Sequence, residues 1–301
     1  MGIIDLKGKK ILVVGGNGYL GQFLVKALKE NKADVFVISR NCEQSNSQFT
    51  IDITNFDETY KIIQKIKPDV VYHLAANISR NRDFSIYEKM AAVNVQGTLN
   101  VLKSLEGIDA HFIFTSSSEI YGNNVSPFHE NQIPKPVSPY SLSKISAEVL
   151  VQTYCNNHSK KFTNLRVFNF YGENMPEGFF IPQMIESLKR GEDFLMTKGE
   201  QVRDFLYVGD VVDALILTAQ NTSAYGETMN VCSGKGTKLS KLATAVNTSM
   251  NTKAKIVLGA IPYRNNEVWE MIGDPSKIKK SIGFEPKISV DKGIEIVINK
   301  S

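Results

Sequence analysis

The first half of the chain alternates two kinds of segment, and this alternation constrains the possible folds more than any other feature. Short apolar runs rich in β-branched residues, such as KILVVGG, ADVFVISR, DVVYHLAA and AHFIFTSSS, have the composition of buried strands. Between them, segments such as GYLGQFLVKALKE and FDETYKIIQKIK carry apolar residues at helical spacing. Strands and helices that alternate with short connections predict right-handed β-α-β units and a parallel sheet covered by helices on both faces.

The pattern becomes less regular after about residue 168. We therefore expect an α/β fold in which residues 1–168 form the main unit and residues 169–301 form mainly a smaller lobe. A strand-like and then helical segment at about 204–232 is expected to return to the main sheet. No Pro-, Gly- or Ser-rich linker separates the two parts, so we predict that the lobe is interleaved with the sheet.

Composition excludes several classes of function. The net charge of +4 comes from 35 basic and 31 acidic residues spread along the chain, which gives no basic surface for nucleic acid. No apolar run approaches the roughly 18 residues that a membrane span needs. The three scattered cysteines (Cys42, Cys155 and Cys232) and four unclustered histidines indicate reduced thiols in a cytoplasmic protein and no metal site.

A glycine-rich turn, GGNGYLG, follows the first strand and precedes the first helix. Its glycines, Gly15, Gly18 and Gly21, have GxxGxxG spacing rather than the GxGxxG of the dinucleotide fingerprint. Such a turn brings backbone N–H groups at a helix N-terminus against a pyrophosphate. We therefore predict dinucleotide binding by residues 1–168, with contacts from Gly15, Asn17, Gly18, Tyr19 and Leu20. The alternative is a glycine-rich turn without a ligand.

The end of the second strand bears on the choice of cofactor. It reads ISRN, with Ser39 and Arg40 and no carboxylate. An acidic residue here would bind the ribose of NAD(H), whereas an arginine suits the 2′-phosphate of NADP(H). We therefore favour NADP(H), with NAD(H) possible. Asp52 and Ile53 follow the next apolar run and are expected at the adenine; alternatively, Asp52 caps a helix that begins near Thr54.

Hydroxyl groups and a Tyr-Lys pair supply the candidate chemistry. Three serines, including Ser117 and Ser118, end the strand AHFIFTSSS, where open α/β sheets bind ligands. About twenty residues later, SPYSLSK places Tyr140 and Lys144 on one face of a predicted helix. The pair could be a proton donor with a neighbouring ammonium, or a pair of surface side chains.

Together, GxxGxxG, a strand that ends in serine, and YxxxK resemble the short-chain dehydrogenase/reductase superfamily. Further segments resemble its extended branch, which acts on nucleotide sugars: HLAA (73–76), NVQGTLNVL (94–102), SSSEIYG, LRVFNFYG and RDFLYVGD (203–210). The resemblance covers nearly the whole chain. It implies a Rossmann-like, doubly wound parallel sheet, a substrate-binding C-terminal lobe and a homodimer.

The resemblance also implies roles for individual residues. Tyr140 would be the acid/base, with its pKa lowered by Lys144 and by the positive nicotinamide ring. Lys144 would also hold the nicotinamide ribose, and Ser117 would hydrogen-bond the reacting oxygen while hydride moves to or from a sugar carbon, typically C4. Further cofactor contacts are implied for Leu74, Ala75, Ala76 and Asn94.

For the nucleotide sugar, the resemblance points to Ser118, Asn169, Phe180, Arg203 and Arg264. Arg203 could instead form an ion pair with Asp204 or Asp210, and Phe180 could belong to the core. His73, at a strand end near the expected cofactor, is predicted to be structural.

The exact reaction is left open by the sequence. Glu119 follows Ser118 as in families that deprotonate the sugar ring, such as the GDP-mannose 4,6-dehydratases, but some 4-ketoreductases also carry glutamate here. The C-terminal segments and Arg40 favour an NADPH-dependent reductase of a nucleoside-diphosphate 4-keto-6-deoxysugar, resembling the CDP-abequose synthase type. Alternatives are a 4-epimerase, a 4,6-dehydratase with recycled NAD(P), or a dinucleotide-binding regulator without chemistry. ENMPEGFFIPQ lacks the arginine expected of a decarboxylase.

Overall fold

The computed structural model describes residues 4–79 and 81–300. Its strands are β1 (Lys10–Val14), β2 (Asp34–Ser39), β3 (Gln48–Thr50), β4 (Val70–His73), β5 (His111–Ser117), β6 (Phe162–Val167), β7 (Asn169–Tyr171), β8 (Phe194–Met196), β9 (Val202–Tyr207), β10 (Glu227–Val231), β11 (Gly236–Lys238), β12 (Ile256–Leu258) and β13 (Glu270–Met271). Its α-helices are α1 (Tyr19–Glu30), α2 (Phe56–Ile66), α3 (Tyr87–Ala91), α4 (Thr98–Lys103), α5 (Pro139–Asn157), α6 (Phe180–Lys189), α7 (Val208–Gln220), α8 (Leu239–Met250), α9 (Ser276–Ile282) and α10 (Val290–Lys300).

The main sheet places the glycine-rich turn and the HLAA segment side by side. Within the described residues it has seven parallel strands in the order β10-β6-β5-β4-β1-β2-β3. The strand order reverses between β1 and β4, and open α/β sheets bind ligands at the carboxyl ends of strands at such a point. The predicted fold class, a doubly wound parallel sheet, is confirmed.

The main sheet is covered by an apolar layer on each of its two faces, so its strands are buried on both sides. Leu24 and Leu28 of α1 pack with residues of α7 and α9 on one face. Ile63 of α2 packs with residues of α4 and α5, such as Leu102 and Val151, on the other face. Helices on both faces are the reason that these strands read as continuous apolar runs rather than as alternating ones.

The second part of the chain branches off at the end of β6. The sequence predicts one strand over KFTNLRVFNF, but the structure divides it: β6 ends in the main sheet, and β7 pairs with β9 in a smaller sheet that also contains β11 and β13. The break falls at Phe168, whose N–H donates to the carbonyl of Val231 in β10. Within the segment 204–232, β10 joins the main sheet and α7 packs against it. The boundary at residue 168 stays a prediction.

The helix predicted over EKMAAVNVQGTLNVLKSLE is not uniform. Between α3 and α4 it contains a π-helical segment, Ala92–Gly97. This local widening includes Asn94, whose side chain is buried and bonded to neighbouring elements as described below. Short π-helical segments of this kind are frequent at functional sites.

Candidate active site

A cleft of about 870 Å³ lies along the carboxyl edge of the main sheet. Its lining combines residues of the main sheet with residues of the C-terminal lobe. All predicted site residues except Asn94 line it: Gly15, Asn17, Gly18, Tyr19, Leu20, Arg40, Asp52, Ile53, Leu74, Ala75, Ala76, Ser117, Ser118, Glu119, Tyr140, Lys144, Asn169, Phe180, Arg203 and Arg264. The fold therefore brings residues from distant parts of the sequence to one cleft.

The glycine-rich turn requires glycine at two positions. Gly15 has a φ of 88°, and a Cβ atom there would lie 2.7 Å from the backbone nitrogen of Ala75. A Cβ atom at Gly21 would lie 2.4 Å from the carbonyl oxygen of Gly15. Helix α1 follows Gly18 without a side-chain N-cap, so its first N–H groups are available to an anion. This local geometry fits a dinucleotide pyrophosphate.

The adenosine end of the cleft carries Arg40 and Asp52. Arg40 is exposed directly after β2. Asp52 accepts hydrogen bonds from the backbone N–H and the hydroxyl of Thr54, at 2.9 and 2.8 Å, and the backbone bond is the largest cause that lowers the pKa of Asp52. Helix α2 is capped by Asn55 rather than by Asp52, so the helix-cap alternative for Asp52 is wrong.

Asn17 and Tyr19 connect the glycine-rich turn to its surroundings. The Asn17 amide donates to the carbonyl of Asn41 at 2.7 Å, which ties the turn to the loop after β2. The Tyr19 hydroxyl donates to the carbonyl of Glu173 at 3.1 Å, and its ring stacks on Phe170. The cofactor side of the cleft is thereby attached to the C-terminal lobe.

Asn94 is the predicted cofactor residue that the cleft does not expose. Its Nδ2 donates to the carbonyl of Asn77 at 3.1 Å and to Ser143 Oγ at 2.9 Å, and its Oδ1 accepts from the N–H of Asn77. These bonds hold the loop after β4 against α5 beside Lys144. The predicted contact between Asn94 and the cofactor has no support in this geometry.

Helix α5 begins with a complete set of start signals. Ser138 and Ser141 form a capping box, and Pro139 occupies the first turn. This start places Tyr140 and Lys144 on the face that lines the cleft. The alternative of a surface pair is wrong for Lys144, which is only 3% exposed.

Tyr140, Lys144 and Ser117 form the centre of the cleft. The Ser117 hydroxyl is close enough to Tyr140 to influence its pKa. Lys144 Nζ lies 4.2 Å from the centroid of the Phe114 ring, and burial lowers the pKa of Lys144 to about 7. Burial and the Glu119 carboxylate raise the pKa of Tyr140, whereas Ser117 lowers it. The lowered Tyr140 pKa implied by the resemblance therefore needs more than this chain supplies, and it stays a prediction for the cofactor-bound enzyme.

The serine-rich strand end continues into a 3₁₀ turn, Ser118–Tyr121. Ser117 Oγ accepts from the N–H of Glu119 at 3.2 Å, and Ser118 Oγ donates to the Met271 sulfur at 3.2 Å. The buried hydroxyl oxygen of Ser116 has no hydrogen-bond partner in the part of the chain that the structure describes. This end of the cleft therefore offers polar groups to a ligand, as the fit to a cofactor and substrate requires.

The contacts of Arg203 rule out the ion pair with Asp204 or Asp210 that the sequence left open. Its guanidinium pairs with Glu267 at 3.0 Å and donates to the carbonyl of Trp269 at 3.3 Å, not to Asp204 or Asp210. The Asp204 carboxylate accepts from the backbone of Ser233, Gly234 and Gly273, and the Asp210 carboxylate accepts from the backbone of Lys287 and Ile288. Both aspartates are structural. Arg264 is exposed in the loop before β13 and also lines the cleft.

Many further residues line the cleft, and three of them make side-chain contacts that bear on the predicted site. Arg82 follows HLAA and donates to the carbonyls of Asn265 and Asn266 at 2.6 and 3.0 Å. Glu267 pairs with Arg203, and Met271 contacts Ser118 and Asn169. Sequence analysis missed Met271 because an apolar side chain gives no indication of a binding role. It missed Arg82 because a single arginine outside a motif is too common to indicate a site.

Phe180 and His73 have mainly packing roles in this structure. Phe180 begins α6 and packs edge-on against Phe194, with a centroid distance of 5.8 Å, while it also lines the cleft. His73 is buried, its Nε2 is 2.9 Å from Thr98 Oγ1, and burial lowers its pKa to about 3. The burial of the ring and its bond to Thr98 support the prediction that His73 is structural, which stays a prediction.

Within residues 4–79 and 81–300, His, Cys, Asp and Glu side chains form no cluster that could hold a metal ion. Over the same residues, no helix combines the length and the apolar character that a membrane span requires.

The sequence profile of the NAD dependent epimerase/dehydratase family matches residues 11–232. The chain belongs to this family. Its members in the extended short-chain dehydrogenase/reductase branch are NAD(P)-dependent enzymes that act on nucleotide sugars, so the predicted family and enzyme class are confirmed.

Individual relatives cover nearly the whole chain. GDP-6-deoxy-D-talose 4-dehydrogenase of Aggregatibacter actinomycetemcomitans is 30% identical, over 95% of this chain and 95% of the relative. CDP-abequose synthase of Salmonella typhimurium is 27% identical, over 96% and 97%. The crystal structure of UDP-glucose 4-epimerase with UDP-glucose from Thermotoga maritima superimposes with a TM-score of 0.89 and 29% identity, over 97% of this chain and 98% of that one. These relatives share the fold and differ in reaction.

Proposed function

We propose that this enzyme reduces the C4 keto group of a nucleoside-diphosphate 4-keto-6-deoxysugar with NADPH. Arg40 carries the proposal, because it lies exposed at the cofactor end of the cleft, directly after β2, where a carboxylate would favour NAD(H). A guanidinium suits the 2′-phosphate of NADP(H). A diffusible NADPH that is consumed in each turnover fits a net reduction better than internal recycling of the cofactor.

The catalytic roles follow from the geometry around Tyr140. When bound, NADPH supplies the hydride. Tyr140 would donate a proton to the C4 oxygen, and Ser117, which lies close to Tyr140, would donate a hydrogen bond to the same oxygen. Lys144, four residues after Tyr140 on the same face of α5, would hold the nicotinamide ribose and would stabilise a tyrosinate as the proton leaves.

Residues of the first part of the chain would hold the dinucleotide. Gly15 and Gly18 bring the backbone and the uncapped N-terminus of α1 to the pyrophosphate. Arg40 and Asp52 would contact the adenosine, and Leu74–Ala76 would cover the nicotinamide side. The same residues, apart from the contact of Arg40 with the 2′-phosphate, would also bind NADH.

An apolar wall beside the catalytic centre supports a 6-deoxysugar. Val137, Phe168, Val268 and Met271 belong to one apolar cluster and also line the cleft. Met271 accepts hydrogen bonds through its sulfur from Ser118 and from Asn169, at 3.2 and 3.5 Å. A methyl group at C6 would lie against this wall at little cost, whereas a hydroxyl or carboxylate there would be desolvated.

Three guanidinium groups support a diphosphate subsite. Arg82, Arg203 and Arg264 line the cleft, with Glu267 among them. Arginines form strong, charge-assisted hydrogen bonds with phosphate oxygens. The sequence-predicted contacts of Asn169 and Phe180 belong to the same side of the cleft and remain part of this proposal.

The proposal is tested by following NADPH absorbance while the purified enzyme is offered a panel of GDP-, CDP-, dTDP- and UDP-4-keto-6-deoxysugars. We expect NADPH to be consumed in proportion to product with at least one of them, and more slowly with NADH. If none of the panel consumes NADPH, the reductase proposal is wrong.

The second candidate is a 4-epimerase, which the 29% identity to the Thermotoga maritima epimerase favours. An epimerase recycles its cofactor and retains it through purification. Bound NAD(P) in the purified protein, together with interconversion of a 4-hydroxy nucleotide sugar without added NADPH, would select this candidate over the reductase.

We also propose a homodimer that buries the outer face of α5. Val149 on this face is 54% exposed, which is unusual for a large apolar side chain at the middle of a long helix. Light scattering should give twice the chain mass, and a charge at this position (Val149→Glu) should shift the protein to monomer.

A further inference from the structure

A buried ion pair lies directly behind the catalytic centre. Arg166 on β6 contacts Glu148 on α5 through Nη2 at 2.6 Å and through Nε at 3.1 and 3.3 Å. The two side chains are only 7% and 4% exposed. Burying such a pair costs desolvation, and apolar side chains of the same size would often be equally stable. Stability alone therefore does not explain why charged residues occupy these positions.

Each member of the pair lies close in the structure to residues of the catalytic centre. Glu148 follows Lys144 by four residues and Tyr140 by eight, so all three side chains share one face of α5. Arg166 is the register partner of Ser116 on the neighbouring strand β5, one residue before Ser117. The pair thus joins the helix that carries Tyr140 to the strand that carries Ser117.

Arg166 also holds the turn that follows Ser117. Its Nη1 donates to the Tyr121 hydroxyl at 2.8 Å, and the guanidinium carbon lies 4.9 Å from the centroid of the same ring. Tyr121 ends the 3₁₀ turn that contains Glu119, and its hydroxyl donates to Asn230 of β10 at 2.7 Å. The backbone N–H of Asn230 in turn donates to the Glu130 carboxylate at 2.7 Å. One buried network therefore fixes the positions of α5, β6, β10 and the turn.

The pair also bears on the charge of Lys144. The groups that interact with Lys144 are Glu148 from its own helix, the Phe114 ring from β5, and His73 from β4, which burial keeps neutral; Tyr140 lies four residues before Lys144 on the same helix. Among these, the Glu148 carboxylate raises the pKa of Lys144, against the larger lowering by burial. Arg166 opposes that effect, because it neutralises Glu148.

We propose that Glu148 and Arg166 are positioning residues of the catalytic centre, which hold α5 and the turn 118–121 in register and set the charge state of Lys144. The proposal rests on the proposed function only in taking Lys144 as part of the reacting centre. It predicts that altering either member changes the titration of Lys144, in opposite directions, and not merely the stability of the fold.

The test measures the titration of Lys144 directly by NMR of cofactor-free protein labelled with ¹³C at lysine Cε, with the Lys144 signal assigned from Lys144→Arg. Glu148→Gln keeps the size of the side chain and removes its charge. The pH at the midpoint of the Lys144 titration should therefore fall by about half a pH unit or more. Arg166→Met leaves the Glu148 charge unopposed, so the midpoint should rise by a similar amount. The double variant should return close to the wild-type value.

Three further measurements keep the outcome decisive. Glu295→Gln, which removes an exposed carboxylate on α10 that pairs with Lys292, should leave the Lys144 midpoint unchanged. Urea denaturation of each variant shows whether a shifted Lys144 midpoint reflects a loss of the folded structure. If Arg166→Met does not fold, Glu148→Gln alone tests the proposal. With a turned-over substrate, the alkaline limb of the rate profile should move with the Lys144 midpoint.

A Lys144 midpoint that stays at the wild-type value in Glu148→Gln, or that moves in the same direction in both single variants, would overturn the proposal. The NMR titration needs no substrate. If the Lys144 midpoints shift as expected while no 4-keto sugar is reduced, the proposed function fails and the role of the pair stands. If a sugar is reduced and the midpoints do not move, the proposed function stands and the role of the pair fails.

Discussion

Replacing Lys144 with methionine should stabilise the cofactor-free protein at neutral and acidic pH. Lys144 is 3% exposed and sits at the centre of the cleft, where its ammonium is desolvated. Methionine has a similar length and retains the contact of the aliphatic chain with its neighbours. The substitution therefore removes a buried charge without creating a large cavity.

The size of the effect follows from the pKa of Lys144, which burial lowers from 10.5 to about 7. One pH unit is equivalent to about 1.4 kcal/mol, so this lowering corresponds to about 5 kcal/mol of unfavourable burial of the charge. We expect Lys144→Met to be up to about 5 kcal/mol more stable than wild type at pH 6.

The effect should depend on pH in a defined direction. Because folding lowers the pKa of Lys144, the unfolded chain binds more protons than the folded protein between about pH 7 and pH 10.5. Wild-type stability should therefore rise with pH in this window, and the advantage of Lys144→Met should shrink by about 1.4 kcal/mol per pH unit. About half of it should remain at pH 9, and little should remain at pH 10.5.

Urea denaturation at pH 6, 7, 8 and 9, with Lys65→Met on the exposed side of α2 as the matched control, measures this difference. The control should show no comparable gain at any pH. If Lys144→Met is destabilised equally across the series, or if its advantage does not decline with rising pH, then Lys144 is not a desolvated ammonium and the description of the catalytic centre is wrong.

Three further substitutions test separate parts of the cleft. Tyr140→Phe should lower turnover at least about 100-fold, because the proton donor is lost, while NADPH affinity measured by fluorescence changes little. Arg40→Ala should weaken NADPH about 5- to 30-fold, the loss of one charge-assisted hydrogen bond at an exposed site, and leave NADH affinity unchanged. Arg82→Ala should release the loop 259–269, which limited proteolysis would detect, and raise KM about 5- to 10-fold with a smaller change in kcat.

Each of these has a result that would contradict it. Preserved turnover in Tyr140→Phe would remove the residue from the chemistry. Equal weakening of NADPH and NADH by Arg40→Ala would show that the guanidinium does not recognise the 2′-phosphate. Arg190→Ala, which removes an exposed arginine paired with Glu192, is the control for Arg82, and an equal KM effect in both would exclude a specific role for the Arg82 contacts.

Features that depend on a few adjacent residues could be predicted from the sequence. The turn at Gly15 needs glycine because its φ is positive and a Cβ atom would meet Ala75, and both causes act within one β-α-β unit. Tyr140 and Lys144 share a face because helical periodicity alone places residues four apart on one side. Buried parallel strands are continuous apolar runs, so the sheet and its helices were also predictable, including α9 with its terminal Gly283.

The tertiary structure decided which side chains meet across long sequence separations. Sequence analysis left an ion pair with Asp204 or Asp210 as the alternative for Arg203, yet in the structure its carboxylate partner is Glu267. Asn94, within the π-helical segment 92–97, bonds to Asn77 and Ser143 and does not line the cleft.

The sequence by itself therefore determined the fold class and the family, and it predicted Tyr140 and Lys144 as the catalytic pair, because each is encoded by local spacing. Only the tertiary structure decided the environment of that pair: the burial that lowers the pKa of Lys144, the apolar wall around Met271, and the buried contact of Glu148 with Arg166. The physical reason is that charge state and desolvation depend on every element packed around a group, and those elements come from all parts of the chain.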